Sequence, residues 1–543
     1  MINLSILTLR GLSILMGTYV NPGKQGFAEI SGNNYIDKTG LIGLINKTIR
    51  SEDKLTCVSR PRRFGKSYAA KMLAAYYDCS CNSHDLFDDK EIAEDTSYAI
   101  HMNKYNVISL DIAGFISDAQ ISGRPLREIP EMIKEALRRN LTESGFKQHD
   151  GDSLNDFLIR AVEQSGGKPF VFIIDEWDAM IREAVRDAEA QKLYLKLLRG
   201  WFKNNNFTPV VVAAAYMTGI LPIKKDGTQS AISDFNEYTF LDPGGLATYT
   251  GFLEQEVRQR CDDVGMDFGV IKDWYDGYDF PRIGAVYNPY SVMKALANKK
   301  CRSYWKRTST AESLKGYINM DFDGLQDKIA RLIAEERIEV DTEDFQNDFE
   351  SFESADDVLT LLIHLGYLAY DEDEGSVYIP NEEVRIEFER FLGKKQTNAK
   401  WMGLIRRSQR LLDATINKDG ETVSALLQEI REEQYAPQYY NDEQALRAVI
   451  KYAYIVTYGQ YLKVEEMPSG RGIADVVFIP KPMTPLPALV VELKWNKSSK
   501  KALSQIESRG YASVIKDFGG EILLVAINYD EKTKRHTCLI AEG

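Results

Sequence analysis

Two stretches of this 543-residue sequence carry side chains able to act on phosphate esters. The first is Arg60-Pro-Arg62-Arg63-Phe-Gly65-Lys66-Ser67, set between the apolar run KLTCVS and the helical run YAAKMLAAYY. A strand that passes through such a loop into a helix points backbone N–H groups and the helix N-terminus at phosphate oxygens. Lys66 would then reach the β and γ phosphates of a nucleotide, and the Ser67 hydroxyl would hold Mg²⁺, so Gly65, Lys66 and Ser67 fill P-loop positions. The pattern G-x-x-x-x-G-K-[ST] asks for glycine where this chain has Arg60, which implies a loop of different shape. Arg62 and Arg63 would add phosphate contacts of their own.

A Gly-Lys-Ser tripeptide says little by itself; its partner is FVFIIDEWD, an apolar strand ending in two adjacent acids. Asp175 would hold the Mg²⁺ shell and Glu176 would polarise an attacking water. A further strand, VVVAAAY, runs into MTGILPIKK and places the Thr218 hydroxyl at the carboxyl edge of the same sheet. There Thr218 either senses the γ phosphate or caps the turn before Gly219. No arginine is marked by its spacing as one that would neutralise a transferring phosphate.

The second stretch lies near the C-terminus, where GRGIADVVFIP and ALVVELKWN read as two strands. Alternation puts Glu492 and Lys494 on one side of the second strand. If Asp475 on the neighbouring strand faces the same cleft, two carboxylates and an ammonium converge, which suits metal-assisted phosphodiester hydrolysis. Glu-x-Lys is common on solvated strands; its setting among apolar residues is what distinguishes it. Upstream, Glu443 opens the periodic helix NDEQALRAVIKYAYIV and either brings another carboxylate to the metal or serves as a first-turn acid favoured by the helix dipole. Downstream, Gln505 and Arg509 lie one helical turn apart in KKALSQIESRGYA.

The overall charge of −13 repels nucleic acid at long range, so a phosphate-binding surface has to be local. Lys494, Lys497, Lys500, Lys501 and Arg509 form such a basic stretch beside the C-terminal carboxylates. Six scattered cysteines suit reduced thiols and a cytoplasmic location, and Cys79-Ser-Cys81 lacks the spacing of a zinc site. The apolar opening MINLSILTLRGLSILMG is interrupted by Arg10 and lacks a basic leader, so no membrane span is expected, and Met16 is an alternative start.

Residues 17–245 alternate short apolar strands with helical periods, the mark of parallel α/β units, with strands expected at Lys54–Ser59, Val107–Ile112, Phe170–Ile174 and Val210–Tyr216. Residues 246–395 read as a mainly helical, acidic middle domain with small β signals at Tyr367–Tyr370 and Val377–Ile379. Residues 396–543 read as α+β. The motifs YIDKTGLI, SRPRRFGKS, FIIDEWD and MTGILPI resemble the AAA-ATPase-like family of bacterial proteins, and WYDGYDF, VYNPYSV and IPNEEVR look like its middle region. The C-terminal part, through Glu443, GRGIAD, VVELKW and SQIESRGYA, resembles PD-(D/E)XK nucleases fused to such ATPases, with Ala474 where the pattern has proline.

The resemblance implies an α/β protein with a P-loop parallel-sheet ATPase domain, a helical lid and a nuclease-like domain. It implies Asp475, Glu492 and Lys494 as catalytic core with Glu443 and Gln505 in support, ATP and Mg²⁺ as cofactors, and nucleic acid, DNA before RNA, as partner. Sites of this ATPase class often lie between subunits, so a homo-oligomer fits the likeness. The expected activity is an ATP-regulated, Mg²⁺-dependent DNA nuclease. The acidic charge and irregular loop keep open a non-catalytic, ATP-responsive switch that binds nucleic acid or a protein, and a nuclease acting on RNA is a further alternative.

Overall fold

The computed structural model describes residues 17–32, 34–223, 232–305, 324–343, 345, 352, 354–392, 396–434, 443–469, 472–481, 486–509 and 520–543. Met16 lies outside them. Two compact units divide the chain: Met1–Tyr304 with Val340–Gly375, and Trp305–Glu339 with Ser376–Gly543. The stretch 246–395 contributes to both.

In the first unit, β1 (Leu55–Ser59), β2 (Asn106–Asp111), β3 (Phe170–Asp175), β4 (Val212–Gly219) and β5 (Asn236–Tyr238) form one sheet in the order β2-β3-β4-β1-β5. All its pairings are parallel. Alternate residues of FVFII explain why the strand reads as an unbroken apolar run. Phe170, Phe172 and Ile174 join the core on one face, while Val171 and Ile173 join the core on the other, where the Lys66–Tyr77 helix packs. The strand order sets the carboxyl ends of β1, β4 and β3 side by side, with Val58 opposite Thr218 and Ile174 opposite Met217. Phosphate loop and acids therefore share one sheet edge.

Two strand boundaries differ from expectation for local reasons. Val210 and Val211 belong to a helical turn, Thr208–Val211, with Pro209 in its first turn, where the absent N–H of proline costs nothing. Ile112 begins a helix because the Asp111 side chain caps it by accepting from the Gly114 N–H. Beyond β5 the unit continues through the helices Glu254–Val264, Phe268–Tyr275 and Pro289–Asn298 and a small antiparallel sheet, β6 (Phe252–Leu253), β7 (Tyr278–Phe280) and β8 (Gly284–Tyr287), in the order β6-β8-β7. The helix Ala355–His364 and the short strand β10 (Ala369–Asp371) also belong to it.

The second unit holds the short antiparallel pair β9 (Ile338–Glu339) and β11 (Ser376–Tyr378). Its main sheet has the order β12-β13-β14-β15-β16, built from β12 (Tyr461–Ser469), β13 (Gly472–Pro480), β14 (Ala488–Trp495), β15 (Ile522–Asp530) and β16 (Arg535–Glu542). Only β14 and β15 pair in parallel, and the helix Ser499–Arg509 lies in their connection. Leu489, Val491 and Leu493 pack with residues of the helices Gln396–Ile416, Gly420–Gln434 and Glu443–Ala453. Ala488 and Val490 face the other core, with Ala502 of the Ser499–Arg509 helix. The chain thus has an α/β parallel-sheet unit and a C-terminal α+β unit with a mixed sheet.

Candidate functional site

At the edge of the first sheet, β1 leads into the loop and Gly65 caps the Lys66–Tyr77 helix at φ +86°, a left-handed conformation that favours glycine. Arg63 also adopts positive φ, at +72°, whereas Arg60 does not. The free rotation expected at position 60 is therefore used at 63 and 65 instead. Arg60 is fully buried and serves as a post: Nε donates to Thr250 Oγ1 at 2.9 Å, and Nη1 to the carbonyls of Ser59, Tyr238 and Thr239 at 2.9, 2.8 and 2.6 Å. Burial lowers its pKa to about 10, with Tyr216 and Asp242 acting in the opposite direction. The Phe64 ring meets Phe240 and Tyr278 at centroid distances of 5.6 and 5.5 Å. Arg63 donates to the Tyr304 carbonyl at 2.8 Å and lies over the Tyr290 ring. Arg63 is thus engaged with the region after β8. Arg62 and Gly65 are half-buried, and Ser67 is exposed at the first helical turn.

Lys66 folds over the start of its own loop, donating to the carbonyls of Arg60 and Pro61 at 2.9 and 2.8 Å. Burial pulls its pKa down to about 8 against the raising influence of Asp175, Glu176 and Asp178. A buried ammonium whose hydrogen bonds, among the described residues, go to two carbonyls is suited to accept a phosphate.

The acids are locked to the end of β4. The Thr218 hydroxyl donates to Asp175 Oδ1 and accepts from the Glu176 N–H at 3.3 Å, while the Trp177 N–H donates to the Thr218 carbonyl at 2.9 Å. Asp178 Oδ2 accepts from the Ile220 and Leu221 N–H groups at 3.0 and 2.9 Å. A Cβ on Gly219 would lie 2.6 Å from Trp177 Nε1, so the close approach of the two segments requires glycine there. Expected either to sense the γ phosphate or to cap the turn before Gly219, the Thr218 hydroxyl is found bonded to Asp175 and to the Glu176 N–H. Glu176, at φ +52°, accepts from Arg182 Nη2 at 2.8 Å, and Arg182 Nε reaches Asp178 at 3.1 Å. Burial works against the Arg182 charge, but Asp178 and Glu176 outweigh it and its pKa is raised. Arg182 was not singled out in the sequence, although its four-residue spacing from Asp178 was a usable helical signal. Asp111, in register with Asp175 across β2 and β3, is another acid of this edge that no motif marked. Burial raises its pKa, and Asp175 and Glu176 push it further up.

In the second unit, Glu492 and Lys494 are joined as alternation requires: Lys494 Nζ donates to Glu492 Oε1 at 2.7 Å and to the Leu493 carbonyl at 2.9 Å. Asp475 reaches the same point of β14, because its Oδ2 accepts the Leu493 N–H at 2.8 Å. Gln505 Nε2 donates to Glu492 Oε1 from the Ser499–Arg509 helix. A residue absent from the expectations joins the group: Arg447 Nη2 donates to Asp475 Oδ1 at 2.8 Å from the helix Glu443–Ala453. Glu443 is half-buried one turn before Arg447. Among the described residues no three His, Cys, Asp or Glu side chains are grouped to hold a metal ion, so Glu443 does not complete a three-carboxylate set with Asp475 and Glu492.

Asp475, Glu492 and Lys494 are 9%, 2% and 7% exposed. Lys494 therefore leaves the expected basic surface, which keeps Lys497, Lys500 and Lys501, all exposed. The Arg509 side chain lies outside the described residues. Buried carboxylates fit a hard divalent ion, which is commonly held by one or two carboxylates and keeps several waters. By the same chemistry Ser67 and Asp175 suit the ion that accompanies a nucleoside triphosphate. All six cysteines are free, and among the described residues no helix is long and apolar enough to cross a membrane.

Comparison with known proteins matches residues 22–229 to the family described as "Predicted AAA-ATPase" and residues 441–537 to the PD-(D/E)XK nuclease superfamily. A protein of Azotobacter chroococcum mcd 1, described only by its position in the vnfD 5′ region, is 22% identical over 539 residues, covering 96% of this chain and 98% of its own. Among solved structures, the ORC2 protein of Aeropyrum pernix in ADPNP–ADP complexes aligns over 68% of this chain and 99% of its own, at 12% identity and a TM-score of 0.28. The chain thus joins an AAA-ATPase-like domain to a C-terminal PD-(D/E)XK nuclease superfamily domain.

Proposed function

We propose that this protein is an ATP-binding, Mg²⁺-dependent nuclease that hydrolyses DNA phosphodiester bonds under control of its AAA-like domain. The observation that carries the reading is that Asp475 and Lys494 both bond the Leu493 backbone while Lys494 also donates to Glu492, which joins two buried carboxylates and an ammonium at one stretch of β14. Mg²⁺ bound there would lower the pKa of a bound water and offset charge on the phosphate. Asp475 and Glu492 would hold the ion, Gln505 would keep Glu492 in place, and Lys494 would sit beside the charge that develops on the scissile group. Lys497, Lys500 and Lys501 supply positive charge for the phosphate backbone on a chain that is otherwise acidic.

At the other site, Lys66, Gly65 and Ser67 with the N-terminus of their helix would take the ATP phosphates, and Asp175 would face the accompanying ion. Glu176 would polarise water for hydrolysis, steadied by Arg182. The domain limits 17–245, 246–395 and 396–543, a cytoplasmic location and assembly into a homo-oligomer belong to the same proposal.

Burial favours a second reading. With Glu492 only 2% exposed, the C-terminal unit would bind nucleic acid or a protein without cutting, as an ATP-responsive switch. Incubating plasmid, single-stranded DNA and RNA with Mg²⁺ and either wild type or Glu492→Gln separates the readings. The proposal expects DNA cleavage by wild type, none by Glu492→Gln, and equal ATP binding by both. Intact substrates throughout would leave the switch, cutting of RNA alone would move the substrate, and cutting by Glu492→Gln would place the active site elsewhere.

A further inference from the structure

The carboxylate site carries its own cations. Asp475 Oδ1 accepts from Arg447 at 2.8 Å, its Oδ2 accepts from the Leu493 N–H at 2.8 Å, and Glu492 Oε1 accepts from Lys494 and Gln505. Each carboxylate is thus paired with a cation, Asp475 with Arg447 and Glu492 with Lys494. A dication entering the site would meet the Arg447 charge at the very carboxylate it has to bind, in surroundings where water screens poorly.

The two cations are placed differently. The Lys494 side chain is 9% exposed and that of its partner Glu492 2%, whereas the Arg447 side chain is 23% exposed against 12% for Asp475. An anion arriving from solvent therefore meets Arg447 before Asp475. A guanidinium is weakly hydrated, and its planar fork matches phosphate as well as it matches carboxylate. Exchanging Asp475 for a phosphodiester keeps the guanidinium paired and leaves Asp475, among the described residues, with the Leu493 N–H and an unpaired negative charge.

From this geometry, and resting on the nuclease reading above, we infer that Arg447 is a positioning residue that occupies Asp475 until a phosphodiester backbone draws it away, so that divalent-cation loading depends on bound nucleic acid. Asp475 is paired with Arg447 without nucleic acid and becomes a cation site with it.

The test is calorimetric titration of Ca²⁺ into the full chain without nucleotide, in the absence and presence of a short DNA duplex, with a parallel RNA-duplex arm and gels confirming intact strands. Wild type should bind Ca²⁺ at least about tenfold more tightly with duplex than without. Arg447→Gln should show the tighter affinity without duplex and no further gain with it, and Arg447→Lys should retain part of the dependence. Thermal melts establish that the variants are folded. Wild-type affinity in Arg447→Gln, or an unchanged response to duplex, would overturn the inference while leaving the nuclease reading in place. If Asp475→Asn binds Ca²⁺ as wild type does with duplex, the carboxylate site itself is wrong and the nuclease reading falls with it.

Discussion

Arg60 occupies the position at which the phosphate-loop pattern has glycine, so Arg60→Gly restores the consensus, yet the structure predicts that it damages the protein. Four bonds of 2.6–2.9 Å run from the Arg60 guanidinium to Thr250 Oγ1 and to the carbonyls of Ser59, Tyr238 and Thr239. A hydrogen bond from a charged donor contributes about 1.5–3 kcal/mol, and each acceptor left buried and unpaired costs about 1–3 kcal/mol. Water entering the vacated space would satisfy some of them, so a net loss of about 4–6 kcal/mol is expected, in the range reserved for broken buried networks. At an unfolding entropy of about 2.1 cal/mol/K per residue, that corresponds to a fall in Tm of about 6–8 °C for this unit. Glycine brings no compensating relief, because Arg60 is not among the residues at positive φ. Lys66 donates to the Arg60 carbonyl, so the nucleotide site loosens with the post. Thermal melts and titration with a fluorescent ATP analogue should show a lower Tm and weaker binding, with Arg60→Lys in between. A variant that melts within about 2 °C of wild type and binds ATP more tightly would refute the argument.

Two further predictions concern pH. With Lys66 at about 8 in the free protein, ATP affinity should fall about tenfold between pH 7 and 9 as the ammonium is lost, measured by the same titration. Nucleotide-free stability should move the other way, rising from pH 8 towards 10.5, because in that window the unfolded chain holds the proton that folded Lys66 has released. Burial, reinforced by Arg60, pushes His364 down to about 3, so the folded form resists a proton that the unfolded chain takes up below about 6.5. The Tm of wild type should therefore fall on acidification below pH 6.5, and His364→Gln should lessen that fall; an identical pH profile for both would show that His364 does not carry it.

The central strands β1, β3 and β4 were legible because both faces of their sheet are buried, which writes them as apolar runs. β5, with the sequence NEY, has no such run, and its half-buried residues give no sign of a strand. The placement of Gly65 and Lys66 at a strand-to-helix loop and of Asp175 at a strand end was legible because it depends on neighbours in sequence, and the contact of Glu492 with Lys494 because strand alternation is strict. Arg60 and Arg447 were not. The partners of Arg60 include residues about 180 positions later, and Arg447 bonds a strand 28 positions away, so nothing in the local pattern distinguishes either from a surface arginine. Glu443 illustrates the reverse case: its place at a helix start allowed either a further metal carboxylate or a first-turn acid favoured by the helix dipole, and helix periodicity cannot say which neighbour a first-turn side chain meets.

The most direct measurement is the initial rate of plasmid cleavage in Mg²⁺ by wild type, Lys66→Ala and Glu492→Gln, each with and without ATP. A nuclease governed by its nucleotide domain requires a rate that responds to ATP in wild type, no response in Lys66→Ala, and no cutting by Glu492→Gln under either condition. Cleavage that persists in Glu492→Gln, or an ATP response that survives in Lys66→Ala, would contradict it.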